Sequence, residues 1–325
     1  MNENIEITKL SPLAPMQEGM LLHYLMDRDS EAYVEQMTMT VVGELDVALF
    51  AASMEKLVER YDILRTIFIY EEVEEPLQVV LQQRPAEVIH KNLSQMLETE
   101  QIAYIEAWKK QDRDRKFDLS KDVLMRVAIL TNAPQAHTII WSFHHILMDG
   151  WCVGILFRDF ARIYLALRDG HPLPDDTPPA YTDYIQWLQE QDQQQAATFW
   201  SEYLDDYEHQ AILPVYRSDS EGKKRESNEK SYTIPTAKLQ ELANHLQVTL
   251  NTVFSTAWGL LLQRMNNVDD VVFGTVVSGR PAEVSGIEDM VGLFINTIPK
   301  RIKSEGNQSI AELLQEVQRP TVISR

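Results

Sequence analysis

The stretch of sequence that decides the fold reads Ser142-Phe143-His144-His145-Ile146-Leu147-Met148-Asp149-Gly150-Trp151. Two histidines close an apolar run, an aspartate follows four residues after the second histidine, and a glycine comes next. Residues 123–130 and 138–143 are apolar runs separated by turn-forming residues at 132–135, a pattern that predicts two neighbouring strands. The histidines are therefore expected at the end of the second strand.

The apolar residues after Trp151 recur at helical spacing instead of strand spacing. This stripe consists of Val153, Leu156, Phe157, Phe160, Ile163, Tyr164 and Leu167. Asp169-Gly170 predicts the end of the helix, because glycine is common just after a helix. The histidine motif thus lies where a strand gives way to a helix, a place where imidazoles and free backbone N–H groups can face one cleft.

The motif residues also have plain structural explanations. A histidine pair beside an apolar run is more often part of the core or the surface than of a site. No third and fourth His, Cys or carboxylate follows at ligand spacing, so we predict no metal site. Cys152 is the only cysteine, and we expect it to be buried as a small hydrophobic residue rather than to act as a nucleophile.

Length, charge and cysteine content narrow the class of protein. A chain of 325 residues can form one large domain or two. The formal net charge of −19 makes nucleic acid and anionic membrane poor partners. No apolar run approaches membrane-spanning length, and the N-terminus lacks the basic and apolar parts of a signal peptide. A single cysteine suits the reducing cytoplasm, which is the expected location.

Prolines and charged stretches indicate how the chain is organised. Residues 172–179 are rich in proline and aspartate and predict a linker. Residues 217–231 are charged and poor in apolar side chains, which predicts a mobile surface loop. Beyond them, Thr249 precedes an apolar helical run, and residues 270–277 read as a strand. Strands and helices alternate in both halves, so we predict a mixed α/β architecture.

The sequence His144 to Gly150, HHILMDG, resembles the HHxxxDG signature of condensation domains in nonribosomal peptide synthetases, which are relatives of chloramphenicol acetyltransferase. Other segments resemble the remaining core motifs of that family in the same order. These segments are residues 13–21, 60–68, 181–187 with the following Phe199-Trp200, and 276–281 with 291–297. Five ordered motifs across nearly the whole chain make the resemblance strong.

Related families differ at the same positions. Heterocyclization domains replace the two histidines with aspartates, whereas this chain keeps both. Epimerization domains usually differ after the position of Asp149 and lack the Met-Gln-Glu-Gly-Met opening that begins here at Met16. Plant-type acyltransferases carry a second, DFGWG-like motif that is absent from this sequence. Condensation domains are therefore the best match.

The resemblance implies a fold of two chloramphenicol-acetyltransferase-like lobes, each a mixed sheet flanked by helices, arranged in a V with HHxxxDG at the tunnel between them. We expect an N-terminal lobe at residues 1–171, a linker at 172–179, and a C-terminal lobe at 180–325 that is shorter than in the family. Pro320 interrupts the last helical pattern.

The implied reaction is peptide-bond formation between a donor thioester and the α-amine of an acceptor. Both substrates would be carried on the phosphopantetheine of carrier proteins upstream and downstream, beside an adenylation domain. No cofactor would need to bind the domain itself. Two alternatives stay open: a free-standing acyltransferase that uses coenzyme A, and a non-catalytic condensation-like fragment.

The resemblance also implies roles for individual residues. His145 would position the amine and accept its proton, with His144 and Gly150 beside it. His144 is expected mainly to pack and hydrogen-bond, and backbone N–H groups near Gly150 and Trp151 are candidates for binding an oxyanion. Asp149 is expected to be structural and held by Arg65 of the second motif. The remaining expectations are Trp151 as a buried helix anchor, and Ser278, Asn296 and Thr297 as tunnel-lining residues, with structural roles favoured for Ser278 and Arg280.

Overall fold

A computed structural model of the chain describes residues 6–213 and 230–319. Most of the predicted surface loop at 217–231 lies outside the described residues. The strands are β1 (Ile7–Pro12), β2 (Val34–Val42), β3 (Thr66–Ile69), β4 (Leu77–Leu81), β5 (Glu87–Asn92), β6 (Met125–Ala133), β7 (Ala136–His144), β8 (Asp270–Val277) and β9 (Asn296–Lys303). The α-helices are α1 (Pro15–Met26), α2 (Val47–Arg60), α3 (Glu98–Arg115), α4 (Gly150–Asp169), α5 (Tyr181–Gln189), α6 (Gln193–Tyr203), α7 (Ala237–Leu246), α8 (Leu250–Asn266) and α9 (Ile310–Gln318).

Within the part of the chain that the structure describes, the strands form three sheets. A three-stranded antiparallel sheet has the order β1-β4-β3. A four-stranded mixed sheet has the order β2-β7-β6-β5, in which only the β5–β6 pair is parallel. The strands β8 and β9 pair with each other. These sheets and their helices confirm the predicted mixed α/β class.

The four-stranded sheet is covered on both faces. On one face Val127, Ile139 and Trp141 join the main hydrophobic core with residues of α2 and α4. On the other face Ala128 and Ile140 contact side chains of α3. Successive residues of β6 and β7 are therefore buried on opposite faces, which explains why these strands read as continuous apolar runs in the sequence.

The predicted strand–turn–strand–helix order around the motif is confirmed. The strands β6 and β7 pair antiparallel along their length, with Met125 opposite Phe143. Asp149 caps α4 by accepting a hydrogen bond from the Trp151 N–H, and the helix ends at Gly170 in the left-handed conformation. The motif therefore connects the end of β7 to the first turn of α4.

The described residues group into two compact units. The first contains the described residues of 6–191 and 278–296, and the second contains those of 192–213, 230–277 and 297–319. The predicted linker at 172–179 has no helix or strand and lies within the first unit. In the second unit, Gly259 of α8 lies against Ile302 of β9, where a Cβ atom at Gly259 would come within 2.5 Å of the Ile302 side chain.

A charge network centred on the buried Asp159 contacts the 172–179 segment through Asp176. Asp159 of α4 is 1% exposed in its side chain and accepts hydrogen bonds from Arg60 and from the Tyr61 hydroxyl. Burial opposes ionisation of Asp159, but these donors lower the pKa of its carboxyl. Arg60 also bonds the carboxylate of Asp176, which Arg162 contacts as well.

No helix within 6–213 or 230–319 is long and apolar enough to cross a membrane.

Candidate functional site

The burial of the HHILMDG segment singles out one side chain. His144, Ile146, Leu147, Met148 and Asp149 are all buried. Gly150 is exposed at the first turn of α4, and a Cβ atom there would meet nothing within 4 Å. His145 is half-buried, so it is the one ionisable side chain of the segment that has partial access to solvent.

Hydrogen bonds hold the backbone on both sides of His145. Its N–H donates to the Tyr33 carbonyl at 2.7 Å. The next N–H, of Ile146, donates to Nδ1 of His144 at 3.1 Å, and Nε2 of Gln17 donates to the Ile146 carbonyl at 3.0 Å. Nδ1 of His145 is buried and has no hydrogen-bond partner among the residues that the structure describes. The ring is thus carried on a rigid backbone.

His144 is enclosed by the protein. Its ring lies against Phe117 and Tyr33, with ring centroids 6.3 Å and 6.4 Å away. Burial, with a smaller contribution from His145, lowers the pKa of His144 to about 3. A neutral ring leaves Nδ1 free to accept the Ile146 N–H. This geometry supports a packing and hydrogen-bonding role for His144 and not a role as proton acceptor.

Asp149 is a structural junction. Its side chain is 1% exposed, and Oδ1 accepts the Trp151 N–H at 3.1 Å. Oδ2 accepts two backbone N–H groups from a distant segment, those of Phe294 at 3.1 Å and Ile295 at 3.3 Å. A guanidinium nitrogen of Arg280 lies 3.7 Å from Oδ1. The carboxylate therefore ties residues 278–296 to the start of α4.

The predicted pairing of Asp149 with Arg65 is wrong. The guanidinium of Arg65 is instead used by groups near the end of α2 and by β4. Its acceptors are the carbonyl oxygens of Val58, Glu59 and Leu81 and the carboxylate of Asp62. Arg65 therefore fixes the 60–68 segment and not the histidine motif. Arg280 was expected to be structural but was not predicted as a partner of Asp149, and only the packing of residues 278–296 places it there.

The expectation that Trp151 is a buried anchor is also wrong. Trp151 is 58% exposed, and its indole N–H reaches the Glu288 carbonyl at 3.3 Å. One residue further, Cys152 is fully buried, and burial together with the Asp149 carboxylate raises the pKa of its thiol to about 12. The N–H of Trp151 is already bonded to Asp149, so it is not available to an oxyanion, whereas the Gly150 N–H stays a prediction.

Two glycines allow the tight packing of residues 278–296. Gly279 has a φ of +61°, and a Cβ atom there would lie 1.7 Å from the Phe294 carbonyl oxygen. A Cβ atom at Gly292 would lie 2.0 Å from the ring of Tyr181, whose hydroxyl donates to the Leu293 carbonyl at 2.6 Å. Both positions therefore require glycine.

The predicted tunnel-lining residues are placed at the surface of their own units. Ser278 and Asn296 are exposed and belong to the first unit, and Thr297 is exposed in the second. Arg280 of the same segment is different, because its guanidinium donates to the carbonyls of Ile287 and Met290 and faces the Phe294 ring at 3.9 Å. The lining role of the three exposed residues stays a prediction.

No group of three or more His, Cys, Asp or Glu within 6–213 and 230–319 is placed to hold a metal ion.

Comparison with known proteins matches this arrangement to one family. The model of the condensation domain family matches residues 7–323. The chain belongs to the condensation domain family. This assignment confirms the family predicted from the HHILMDG segment and its four companion motifs.

The condensation domain resembles parts of long synthetases. It is 43% identical over 327 residues to tyrocidine synthase 3 of Brevibacillus parabrevis, covering 100% of this chain and 5% of that protein. It is 44% identical over 316 residues to gramicidin S synthase 2 of Brevibacillus brevis, covering 96% of this chain and 7% of that protein. The chain therefore spans less than a tenth of the length of these relatives.

Solved structures share the fold of the condensation domain. The starter condensation domain of rhizomide synthetase superposes with a TM-score of 0.76 at 21% identity, covering 95% of this chain and 71% of that chain. The first condensation domain of the calcium-dependent antibiotic synthetase, in complex with a substrate analogue, gives a TM-score of 0.73 at 20% identity, covering 95% and 73%. These similarities confirm the predicted fold class.

Proposed function

We propose that this condensation domain forms peptide bonds in nonribosomal peptide synthesis. The donor is an aminoacyl or peptidyl thioester on one carrier protein, and the acceptor is an aminoacyl group on a second carrier. Both are attached through phosphopantetheine, so the partners are the upstream and downstream carrier domains and the neighbouring adenylation domain. The support is the family membership and the 43–44% identity to peptide antibiotic synthetases.

The observation that carries the proposal is the position of His145. Its backbone is held by Tyr33 and its neighbour Ile146 is held on both sides, while the imidazole keeps partial access to solvent. A histidine held in this way can meet a substrate amine at a fixed place. The other polar side chains of the segment, His144 and Asp149, are buried and engaged with the protein itself.

The reaction requires little from the base. An α-amino group has a pKa of about 8, so a useful fraction is neutral near pH 7. The amine nitrogen attacks the thioester carbonyl, a C–N bond forms, and the C–S bond breaks to release the carrier thiol. His145 accepts the proton that the nitrogen loses, and this proton can then pass to the departing sulfur. Holding two tethered substrates in line supplies much of the rate.

The same proposal assigns roles to six further residues. Asp149 and Arg280 hold the segment that faces the motif, and Trp151 covers the start of α4. Ser278, Asn296 and Thr297 contact the substrates or their phosphopantetheine arms.

The domain needs no bound cofactor of its own. It works in the cytoplasm, where its single buried thiol, Cys152, stays reduced.

The test is condensation between two loaded carriers by the full chain, followed by mass spectrometry of the released or carrier-bound dipeptide. We expect dipeptide formation, and we expect His145→Ala to reduce the rate by at least about a hundredfold. The matched control is His90→Ala, because His90 is exposed on β5 and outside the motif. Its rate should equal that of the wild type.

Three results would contradict the proposal in different ways. A His145→Ala variant that condenses at the wild-type rate removes the role assigned to His145. Faster turnover with coenzyme A thioesters than with loaded carriers favours a coenzyme A-dependent acyltransferase. A folded wild-type chain that forms no amide with either donor is a non-catalytic domain.

A further inference from the structure

Gln17 of α1 contacts the backbone next to the reactive histidine. Its side chain is fully buried, and Nε2 donates to the Ile146 carbonyl at 3.0 Å. We propose that Gln17 is a positioning residue for His145 and acts through the peptide groups of Ile146. This inference rests on the proposed function, because His145 is taken as the reactive side chain.

The orientation of the Gln17 amide is set by its other contacts. Oε1 accepts the Ala14 N–H at 2.9 Å and an N–H from the Gln78 side chain at 3.2 Å. An oxygen with two donors leaves the NH₂ group facing the Ile146 carbonyl. Gln78 is in turn held by the Pro12 carbonyl at 2.7 Å. The start of α1 is thereby connected to the motif through one amide with a single allowed orientation.

The contact completes a set of restraints around His145. The His145 N–H is held by Tyr33, which adopts a φ of +67°, a conformation that a residue with a large side chain adopts only when its surroundings impose it. The Ile146 N–H is held by His144, and Gln17 holds the Ile146 carbonyl. Without Gln17 this carbonyl would be buried without that donor. The peptide between Ile146 and Leu147 would then be held from one end, where the Leu147 N–H donates to the His144 carbonyl at 3.1 Å.

A shift of this peptide moves His145 relative to its substrate. A misplacement of about 1 Å at a reacting group can lower a rate about a hundredfold. The effect should fall on the chemical step, because Gln17 is fully buried and cannot contact a carrier protein. We therefore expect Gln17 variants to lose kcat while KM for the loaded carriers changes little.

The first experiment compares equal substitutions of two buried glutamines. Gln17→Met removes the donor to Ile146, whereas Gln263→Met in α8 removes donors to the carbonyls of Asp269 and Ile302, outside the polar cluster of Gln17. We expect Gln17→Met to lower kcat about ten- to a hundredfold, and Gln263→Met to keep it within about threefold at a similar loss of stability. Equal rate losses for the two variants would overturn the inference.

A second variant isolates the donor. Gln17→Glu keeps an oxygen for Ala14 and Gln78, but an ionised carboxylate cannot donate to the Ile146 carbonyl. A carboxyl buried beside a carbonyl oxygen has a raised pKa, and its protonated form can donate. The rate of Gln17→Glu relative to the wild type should therefore rise at least about threefold as the pH falls from about 8 to about 6. A ratio that is constant with pH in folded protein would count against the proposed contact.

A spectroscopic readout separates this inference from the proposed function. In protein with ¹³C-labelled histidine, His145→Ala assigns the His145 ring signals. We expect Gln17→Met to shift these signals and Gln263→Met to leave them in place, whether or not the wild type condenses carriers. If the wild type condenses but Gln17→Met moves neither kcat nor the ring signals, the positioning role is wrong and the proposed function stands. If the signals move in a chain that does not condense, the positioning role of Gln17 stands and the proposed function is wrong.

Discussion

Asp149→Ala should destabilise the protein through its partners in residues 278–296. The substitution removes the acceptor of three backbone N–H groups and the charge opposite Arg280. The side chains of Arg280 and Asp149 are only 4% and 1% exposed. Removing one partner of a buried pair typically lowers the free energy of unfolding by about 3–5 kcal/mol. The lower end applies here, because Arg280 keeps its carbonyl acceptors when Asp149 is lost.

The assay is a double-mutant cycle in urea, followed by far-UV circular dichroism. Arg280→Ala should lower the free energy of unfolding by about 2–4 kcal/mol, because it also removes donors to the Ile287 and Met290 carbonyls. The double variant with Asp149→Ala should be less destabilised than the sum of the two by about 1–2 kcal/mol, since contacting residues couple.

Arg65→Ala provides the matched control. Arg65 is also a buried arginine with several carbonyl acceptors, so its loss should be of similar size. It shares no contact with Asp149, and the two effects should therefore add to within about 0.5 kcal/mol. Coupling of Asp149 to Arg65 with none to Arg280 would refute the assignment of partners made here. So would an Asp149→Ala variant with wild-type stability.

Two further predictions use other parts of the first unit. The folded pKa of His144 is about 3, below its ordinary value of 6.5, so the unfolded chain binds the proton first and stability falls as the pH drops below 6.5. The wild type should lose roughly 1.4 kcal/mol per pH unit relative to His144→Asn between about pH 6 and pH 4, and equal slopes in urea titrations would contradict this. If residues 172–179 connect the two lobes and Arg60 holds them through Asp176, limited proteolysis should cut there faster in Arg60→Ala than in the wild type. First cuts within 139–167 in either protein would rule out this division of the chain.

Local sequence determined the elements that carry the motif. Apolar runs with turn residues between them specified β6 and β7, and helical periodicity with Asp149 and Gly170 at its ends specified α4. The strand β8 and the helix α8 followed from the same signals, with Thr249 accepting the Thr252 N–H as helix cap. These features depend on neighbouring residues, and a pattern of neighbours is what a sequence displays directly. The five ordered motifs likewise sufficed to assign the family.

Helical phase, by contrast, was decided by packing. Trp151 and Cys152 are adjacent, and successive residues of an α-helix point about 100° apart. Both were candidates for burial by composition, but the packing of residues 278–296 against α4 buries Cys152 and leaves Trp151 exposed. The carboxylate of Asp159 was not predicted to be buried at all, because its partners Arg60 and Tyr61 come from α2 and the turn after it.

Tertiary structure alone selected the partners of the motif. Arg65 and Arg280 both lie in family motifs and both end up buried, so composition and order do not distinguish them as partners of Asp149. The choice depends on where residues 278–296 pack in the first unit. Gly292 allows this packing, because a side chain there would clash with the Tyr181 ring. The contact from Gln17 to Ile146 has the same origin. The sequence shows which hydrogen-bond donors and acceptors exist. Which of them pair across distant segments is decided only in the folded chain, because buried polar groups need hydrogen-bond partners.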